Sequence, residues 1–161
     1  PRWNRPHRRP GQGPESMITE RMRVLYAHDG DTVTCWRVVN GIATQVRVRL
    51  AFIDAPELAQ SPYGVNARAY FRSLLYVNEP VEARIYGTDA YGRLIAEIIR
   101  LRDYGNCGLR LVVGGYAALF QCPAARSEYA AAQDIAQRKK AGIWRQPGLQ
   151  QTPWRYRAGS P

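Results

Sequence analysis

Three runs rich in β-branched and aromatic residues follow one another near the start of this chain, and they constrain its fold more than any other feature. They cover residues 18–27, 31–39 and 43–53. The sequence His-Asp-Gly at 28–30 separates the first two runs, and Asn-Gly at 40–41 separates the last two. Asn-Gly is a strong signal for a short β-hairpin loop. The sequence therefore predicts three consecutive strands.

The rest of the chain alternates helical and strand-like patterns. Apolar residues at helical spacing predict a helix over 63–77, strands are predicted at 80–87 and 93–101, and helices follow near 106–114 and at 124–141. This order predicts an α+β, mainly β, fold: a five-stranded OB-fold-type barrel capped by three helices. A split α+β sheet is the alternative.

Length and local composition divide the chain into one domain and two tails. Its 161 residues suit a single core, which we assign to residues 17–146. Residues 1–16, rich in Arg, Pro and Gly, are interpreted as a flexible basic tail, and residues 147–161 as a C-terminal tail of similar character. No apolar run approaches the roughly 20 residues that cross a membrane.

The charge of the chain is strongly positive. Lys and Arg number 23 against 13 acidic residues, and only Lys139 and Lys140 are lysines. Arginine presents a planar fork of donors that suits phosphate. This balance favours a polyanionic partner, either nucleic acid or an anionic membrane surface. A base-composition bias of the genome explains the arginine content equally well.

The cysteines do not form a metal-binding pattern. Cys35, Cys107 and Cys122 lack C-x-x-C spacing and neighbouring histidines, which argues against a zinc site. Cys107 and Cys122 could pair across a loop. Cys35 lies within a strand and is expected to pack as a small hydrophobic residue.

Acidic residues stand at the ends of two consecutive predicted strands. Asp31 opens the second strand, and Asp54 and Glu57 follow the third. Each could be no more than a turn residue or a strand terminator. A small barrel could also bring the three carboxylates to one rim, where they would repel one another unless a cation lay among them. Oxygen ligands of this kind select Ca²⁺, Mg²⁺ or Mn²⁺.

Two arginines accompany these acids. Arg49 stands in the third strand, and Arg93 follows a segment that could equally be a hairpin turn closed by Gly92. A cation and two guanidinium groups describe a phosphate site, in which Glu57 is placed to take a proton from an attacking water. Arg49 and Asp54 are an odd number of residues apart. The strand must therefore twist, bulge or end between them for both to face one site.

A collinear set of short motifs carries a family resemblance. The motifs are DGDT at 29–32, RLAFIDAPE at 49–57, YG at 63–64, DAYGR at 89–93, GGYA at 114–117 and GIW at 142–144. With them, the stretch from Met22 to Trp144 resembles staphylococcal nuclease (thermonuclease)-like domains. The resemblance implies an OB-type barrel with three helices. It also implies Ca²⁺-dependent hydrolysis of DNA and RNA that cuts the bond to the 5′ oxygen and leaves 3′-phosphates.

The same resemblance assigns roles to individual residues. Asp31 and Asp54 match the carboxylate metal ligands, and Ala55 stands where the family supplies a backbone carbonyl to the metal. Glu57 matches the general base. The phosphate-binding residues implied in this way are Arg49, Arg93 and Tyr91, the last being a tyrosine that approaches a phosphate.

The chain also departs from the family pattern. The segment between Glu57 and Tyr63 is shorter than the mobile loop of the prototype, which implies a more fixed Glu57. Ala90 replaces a lysine of the nucleotide site. Gln121 and Pro123 replace a pair of tyrosines that contact the base, with Phe120 and Tyr129 in the vicinity. Base stacking is therefore expected to be weakened or rebuilt.

The sequence thus predicts a metal-dependent, sequence-tolerant nuclease whose substrate is DNA, RNA or both. The alternative is a non-catalytic OB-fold nucleic-acid-binding module, which explains the charge but leaves the acids without a role. A structural or partner-binding domain is a third reading. No protein partner is implied, so a monomer is expected. A start at Pro1 rather than Met, together with the habit of the family, favours export to the periplasm, the medium or the cell surface, with a cytoplasmic location still open.

Overall fold

The β-branched runs of the sequence form the strands of the structure, a computed structural model that describes residues 17–159. In chain order, the strands β1 to β7 of this described part are Ile18–Ala27, Thr32–Val39, Ile42–Leu50, Ile53–Asp54, Pro80–Thr88, Leu94–Arg100 and Ala118–Leu119. The α-helices α1 to α4 are Tyr63–Leu74, Cys107–Val113, Ser127–Arg138 and Pro153–Arg157. Short 3-10 helices at Gly142–Trp144 and Leu149–Gln151 precede α4.

Five strands close into a barrel in the order β1-β2-β3-β6-β5. β1 pairs with both β2 and β5 in antiparallel fashion, which closes the ring. β3 and β6 are parallel, with Arg49 opposite Ile95, so the end of β3 lies beside β6. This topology confirms the five-stranded OB-type barrel, and the alternative of a split sheet is wrong.

Apolar side chains from the barrel and from α1 to α3 share one core. Its fully buried members include Val33, Val48, Phe71, Val81, Ile98, Leu111 and Tyr129. Cys35 is buried as expected, and all three cysteines are free thiols. Cys107 and Cys122 therefore do not form the disulfide that their spacing allowed.

The C-terminal segment differs from the expected solvated tail. Over residues 149–157 it forms a 3-10 turn and α4, because two of its side chains pack or form hydrogen bonds against the domain. Pro153 is buried, and the Gln150 side chain donates to the carbonyls of Ile143 (3.3 Å) and Gln146 (2.6 Å). These contacts give the domain a fourth α-helix beyond the three predicted. The expected basic tail at 1–16 lies outside the described residues.

Within residues 17–159, every helix is too short or too polar to cross a membrane.

Candidate active site

A break in the third predicted strand brings Arg49 and Asp54 together. β3 ends at Leu50, Phe52 adopts a positive φ of 72°, and the chain resumes as β4. The Arg49 Nη1 group donates to the carbonyls of Leu50 and Ile53, both at 2.9 Å, and so bridges the bend. Its Nη2 group donates to Asp54 Oδ1 at 3.1 Å. The required interruption of strand alternation is therefore confirmed, and the strand predicted over 43–53 was too long.

Asp31 is held against the residues that follow this bend. The Ala55 N–H donates to Asp31 Oδ2 at 2.8 Å, and the Leu50 N–H donates to the Asp31 carbonyl at 2.8 Å. The Asp31 N–H in turn donates to Asp29 Oδ1 at 3.0 Å. Arg49 Nη2 lies 3.4 Å from Asp31 Oδ2. One guanidinium thus stands between the buried carboxylates of Asp31 and Asp54.

Gly30 permits this close approach by having no side chain. A Cβ atom at this position would lie 2.6 Å from the Cβ atoms of both Ala55 and Ala67. Its φ is not positive, so a tight turn is not what requires glycine here. The requirement is packing: the loop before β2 touches both the 54–55 segment and α1.

Hydrogen bonds of its main chain hold Glu57 in place, and Arg157 links its side chain to that of Asp54. The Glu57 N–H donates to the Gln60 side chain at 3.0 Å, and the Gln60 N–H donates back to the Glu57 carbonyl at 2.8 Å. A Cβ atom on Gly64 would lie 2.0 Å from that carbonyl oxygen, so α1 packs directly on this segment. The Glu57 carboxylate accepts from Arg157 Nη1 at 2.9 Å.

Arg93 and Tyr91 face the same space but contact a different acid. Arg93 Nε donates to Asp89 Oδ2 at 2.6 Å, and the Tyr91 N–H donates to Asp89 Oδ1 at 2.9 Å. The Arg93 guanidinium lies 5.5 Å from the centre of the Tyr91 ring, which is 78% exposed. Asp89 therefore orients the loop that carries both of the expected phosphate-binding side chains.

These groups line one cavity of about 430 Å³ at this end of the barrel. It is bordered by Asp29, Asp31, Arg49, Glu57, Asp89, Tyr91, Arg93, Phe120, Trp154 and Arg157, among others. The structure thus brings Asp31, Arg49, Glu57, Tyr91 and Arg93 to one place. Asp54 and Ala55 lie directly behind them through their contacts with Arg49 and Asp31.

Arg157 is a member of this group that sequence reasoning missed. Its two Nη groups donate to Asp54 Oδ1 at 2.9 Å and Oδ2 at 2.6 Å, a bidentate pair, while Nη1 also reaches Glu57. Asp54 itself is fully buried. The mixture of arginines and aromatic residues at 154–157 is the one sequence signal that could have indicated Arg157, and the docking of α4 places it at the acids.

The aromatic residues near the cavity also differ from expectation. Phe120 lines the cavity and stacks on Trp154, with ring centroids 5.2 Å apart. Its N–H donates to the Phe52 carbonyl at 2.9 Å, which ties the stack to the bend. Tyr129 is instead fully buried and donates to Glu97 at 2.7 Å. Tyr129 is therefore a core residue, and Trp154 supplies the second partly buried aromatic ring that borders the cavity.

The acids of the site differ in their pKa values. Burial raises the pKa of Asp54 to about 6, although Arg157 opposes the shift. Burial, followed by the charge of Asp31, raises the pKa of Asp29 to about 7. Burial acts on Asp31 in the same direction, but Arg49 and the Ala55 N–H outweigh it and hold the pKa of Asp31 below its usual range. Asp31 thus keeps its negative charge, and Asp29 titrates near neutral pH.

The donor set suits a hard divalent cation. Within residues 17–159, no group of three Asp, Glu, His or Cys side chains is arranged to hold an ion. The protein ligands expected here are fewer: the carboxylates of Asp31 and Asp54 and the Ala55 carbonyl. Such a set leaves positions for water and phosphate oxygens, as Mg²⁺ sites and many Ca²⁺ sites do. Arg157 shows that Asp54 accepts a positively charged partner in this position.

The chain matches a known protein family and is similar to proteins named as endonucleases. Residues 47–146, more than half of the chain, match the family described as staphylococcal nuclease homologue. An uncharacterized endonuclease of Haemophilus influenzae is 34% identical over 122 residues, which cover 76% of this chain and 65% of that protein. A probable endonuclease LCL3 of Phaeosphaeria nodorum is 32% identical over 120 residues, covering 66% of this chain and 40% of that protein. The chain therefore spans less than two thirds of either relative.

Proposed function

This chain belongs to the staphylococcal nuclease homologue family, and on that premise we propose that it is a Ca²⁺-dependent, sequence-tolerant nuclease of DNA, RNA or both. One observation carries the proposal: buried carboxylates and three guanidinium groups meet around a single cavity at one end of the barrel. Acids alone would suit a cation, and arginines alone would suit phosphate. Their combination suits the hydrolysis of a phosphodiester.

Asp31, Asp54 and the Ala55 carbonyl would hold the cation, Ca²⁺ in the first place, with Mg²⁺ and Mn²⁺ as alternatives. A bound divalent cation supplies positive charge next to a phosphoryl oxygen. The low pKa of Asp31 keeps one ligand ionised at neutral pH. Because Arg49 touches both carboxylates, it also fixes their spacing.

Glu57 takes the proton of the attacking water in this mechanism. Its carboxylate faces the cavity and its main chain is held by Gln60, so the base has a defined position. As the water oxygen bonds to phosphorus, the bond from phosphorus to the 5′ oxygen breaks. The 5′ oxygen takes up a proton from solvent water and leaves as a hydroxyl group, and the phosphate stays on the 3′ side. Arg49 and Arg93 stabilise the negative charge that grows on the phosphoryl oxygens.

Cleavage by the unchanged protein is the first test. We expect single-stranded DNA or RNA to be degraded with Ca²⁺ and to stay intact when EGTA removes it. Nucleic acid that is bound but never cut with Ca²⁺, Mg²⁺ or Mn²⁺ would instead identify a non-catalytic binding module.

The Glu57→Gln variant tests the base. We expect kcat to fall by about 10²–10⁴-fold, the usual contribution of a general base, with oligonucleotide affinity nearly unchanged. Glu82→Gln is the matched control, because Glu82 lies on β5 and does not border the cavity. Unchanged turnover in Glu57→Gln would remove Glu57 from this role.

A further inference from the structure

Arg157 binds carboxylate oxygens that the proposed reaction uses for other purposes. Asp54 would need them to bind the cation, and Glu57 would need them to accept a proton. The guanidinium binds both oxygens of Asp54 and one oxygen of Glu57, at 2.6 to 2.9 Å. This residue lies beyond the 47–146 region that matches the family. The family match therefore assigns it no role.

The helix that carries Arg157 is anchored by other residues. Pro153 is buried at the start of α4, Gln150 donates to two carbonyls, and Trp154 stacks on Phe120. Arg157 is the last residue of α4, and its side chain is 35% exposed. The side chain can therefore change partners while the helix stays docked.

The charges around the cavity give a reason for such an exchange. Five acids, namely Asp29, Asp31, Asp54, Glu57 and Asp89, surround three arginines, namely Arg49, Arg93 and Arg157. The contacts of Arg49 with the carbonyls of the bend, and of Arg93 Nε with Asp89, hold these two phosphate-binding arginines in place. Among residues 17–159, the side chain of Arg157 bonds only to Asp54 and Glu57, whose charge a divalent cation would bind or neutralise. A cation on Asp54 would repel the guanidinium and compete for the same oxygens.

We propose that Arg157 is a third substrate-binding arginine that exchanges partners. Without a divalent cation it neutralises Asp54 and Glu57. With one, it leaves these acids and binds the phosphate of the substrate in the cavity that it already borders. This inference rests on the nuclease function proposed above, and it makes α4 part of the substrate site.

Two affinities measured on Arg157→Gln test the exchange. Calorimetry should show Ca²⁺ binding about tenfold more tightly than in the parent, because a competing charge has been removed. With saturating Ca²⁺, thymidine 3′,5′-bisphosphate, which has no phosphodiester bond to cut, should bind about tenfold or more weakly, since a charge-assisted hydrogen bond is lost. The two shifts have opposite signs.

Arg155→Gln is the matched control, since Arg155 is exposed on the same helix and does not border the cavity. It removes the same charge and should change both affinities by less than about twofold. Arg157→Lys keeps the charge but loses the planar fork of donors. Its affinities for Ca²⁺ and for the nucleotide should both lie between those of the parent and those of Arg157→Gln.

Every other pattern overturns the exchange. If Arg157→Gln bound Ca²⁺ more tightly with unchanged nucleotide affinity, Arg157 would be only a counterion of the acids. If both affinities fell, Arg157 would be a residue that holds the structure of the site. Unchanged affinities would show that it serves neither ligand. A parent protein that binds both ligands but cuts no nucleic acid would refute the proposed nuclease, while the two affinities would still decide the role of Arg157.

Discussion

Arg49 shows at the scale of one residue how backbone shape and chemistry depend on each other. Its Nη1 group bonds the two carbonyls that flank the bend, and its Nη2 group lies between Asp31 and Asp54. The sequence motif predicted a phosphate-binding role for this arginine. It did not predict that the same side chain would brace the bend on which Asp54 depends, because that role follows from the positive φ of Phe52.

His28 provides a prediction at the same scale. Burial, with help from Arg47 and Arg72, lowers its pKa below the ordinary 6.5. As the pH falls, the imidazole of the unfolded chain therefore takes up a proton before that of the folded chain. The folded state is favoured by its neutral His28 above pH 6.5, and this contribution to the free energy of unfolding is lost as the pH falls below 6.5. We expect His28→Gln to lose less stability than the parent between pH 8 and pH 5, measured by urea unfolding. An equal or greater loss in the variant would contradict this account of His28.

At the scale of elements, the site depends on how closely α1 approaches the segment after β4. Gly64 lies in the first turn of α1 and touches the Glu57 carbonyl, while Ala67, one turn later, touches Gly30. The helix thus supports both the expected base and the loop that carries Asp31. The sequence predicted the helix that contains Gly64. Residue spacing alone does not show how closely the helix backbone approaches the segment of Glu57.

Gly64→Ala tests this packing. The new Cβ atom would meet the Glu57 carbonyl oxygen at 2.0 Å, so α1 or Glu57 must move. We expect the free energy of unfolding to fall by about 1–3 kcal/mol, as in other overpacked sites, and cleavage to fall as Glu57 is displaced. Denaturant unfolding and initial rates provide the measurements. The control is Asn66→Ala, an exposed position on the same helix, and equal behaviour of the two variants would argue against this packing constraint.

At the scale of the whole molecule, local patterns and distant contacts were predictable to different degrees. Strand and helix positions, the closed barrel and the grouping of Asp31, Arg49 and Glu57 followed from periodicity and from collinear motifs. The docking of α4 did not follow, since 103 positions separate Arg157 from Asp54 and the segment between the last motif and α4 is rich in polar residues. Cys107 and Cys122 likewise had a spacing compatible with a disulfide, yet they are free thiols in the fold.

The ends of the cleavage products test the central claim most directly. A 5′-labelled single-stranded oligonucleotide would be digested with Ca²⁺, and the labelled fragments would then be treated with a phosphatase specific for 3′-phosphates. The proposed mechanism predicts Ca²⁺-dependent fragments that change mobility on this treatment, because each retains its phosphate on the 3′ side. Fragments ending in 3′-hydroxyl groups, or an oligonucleotide that stays bound and uncut, would contradict it.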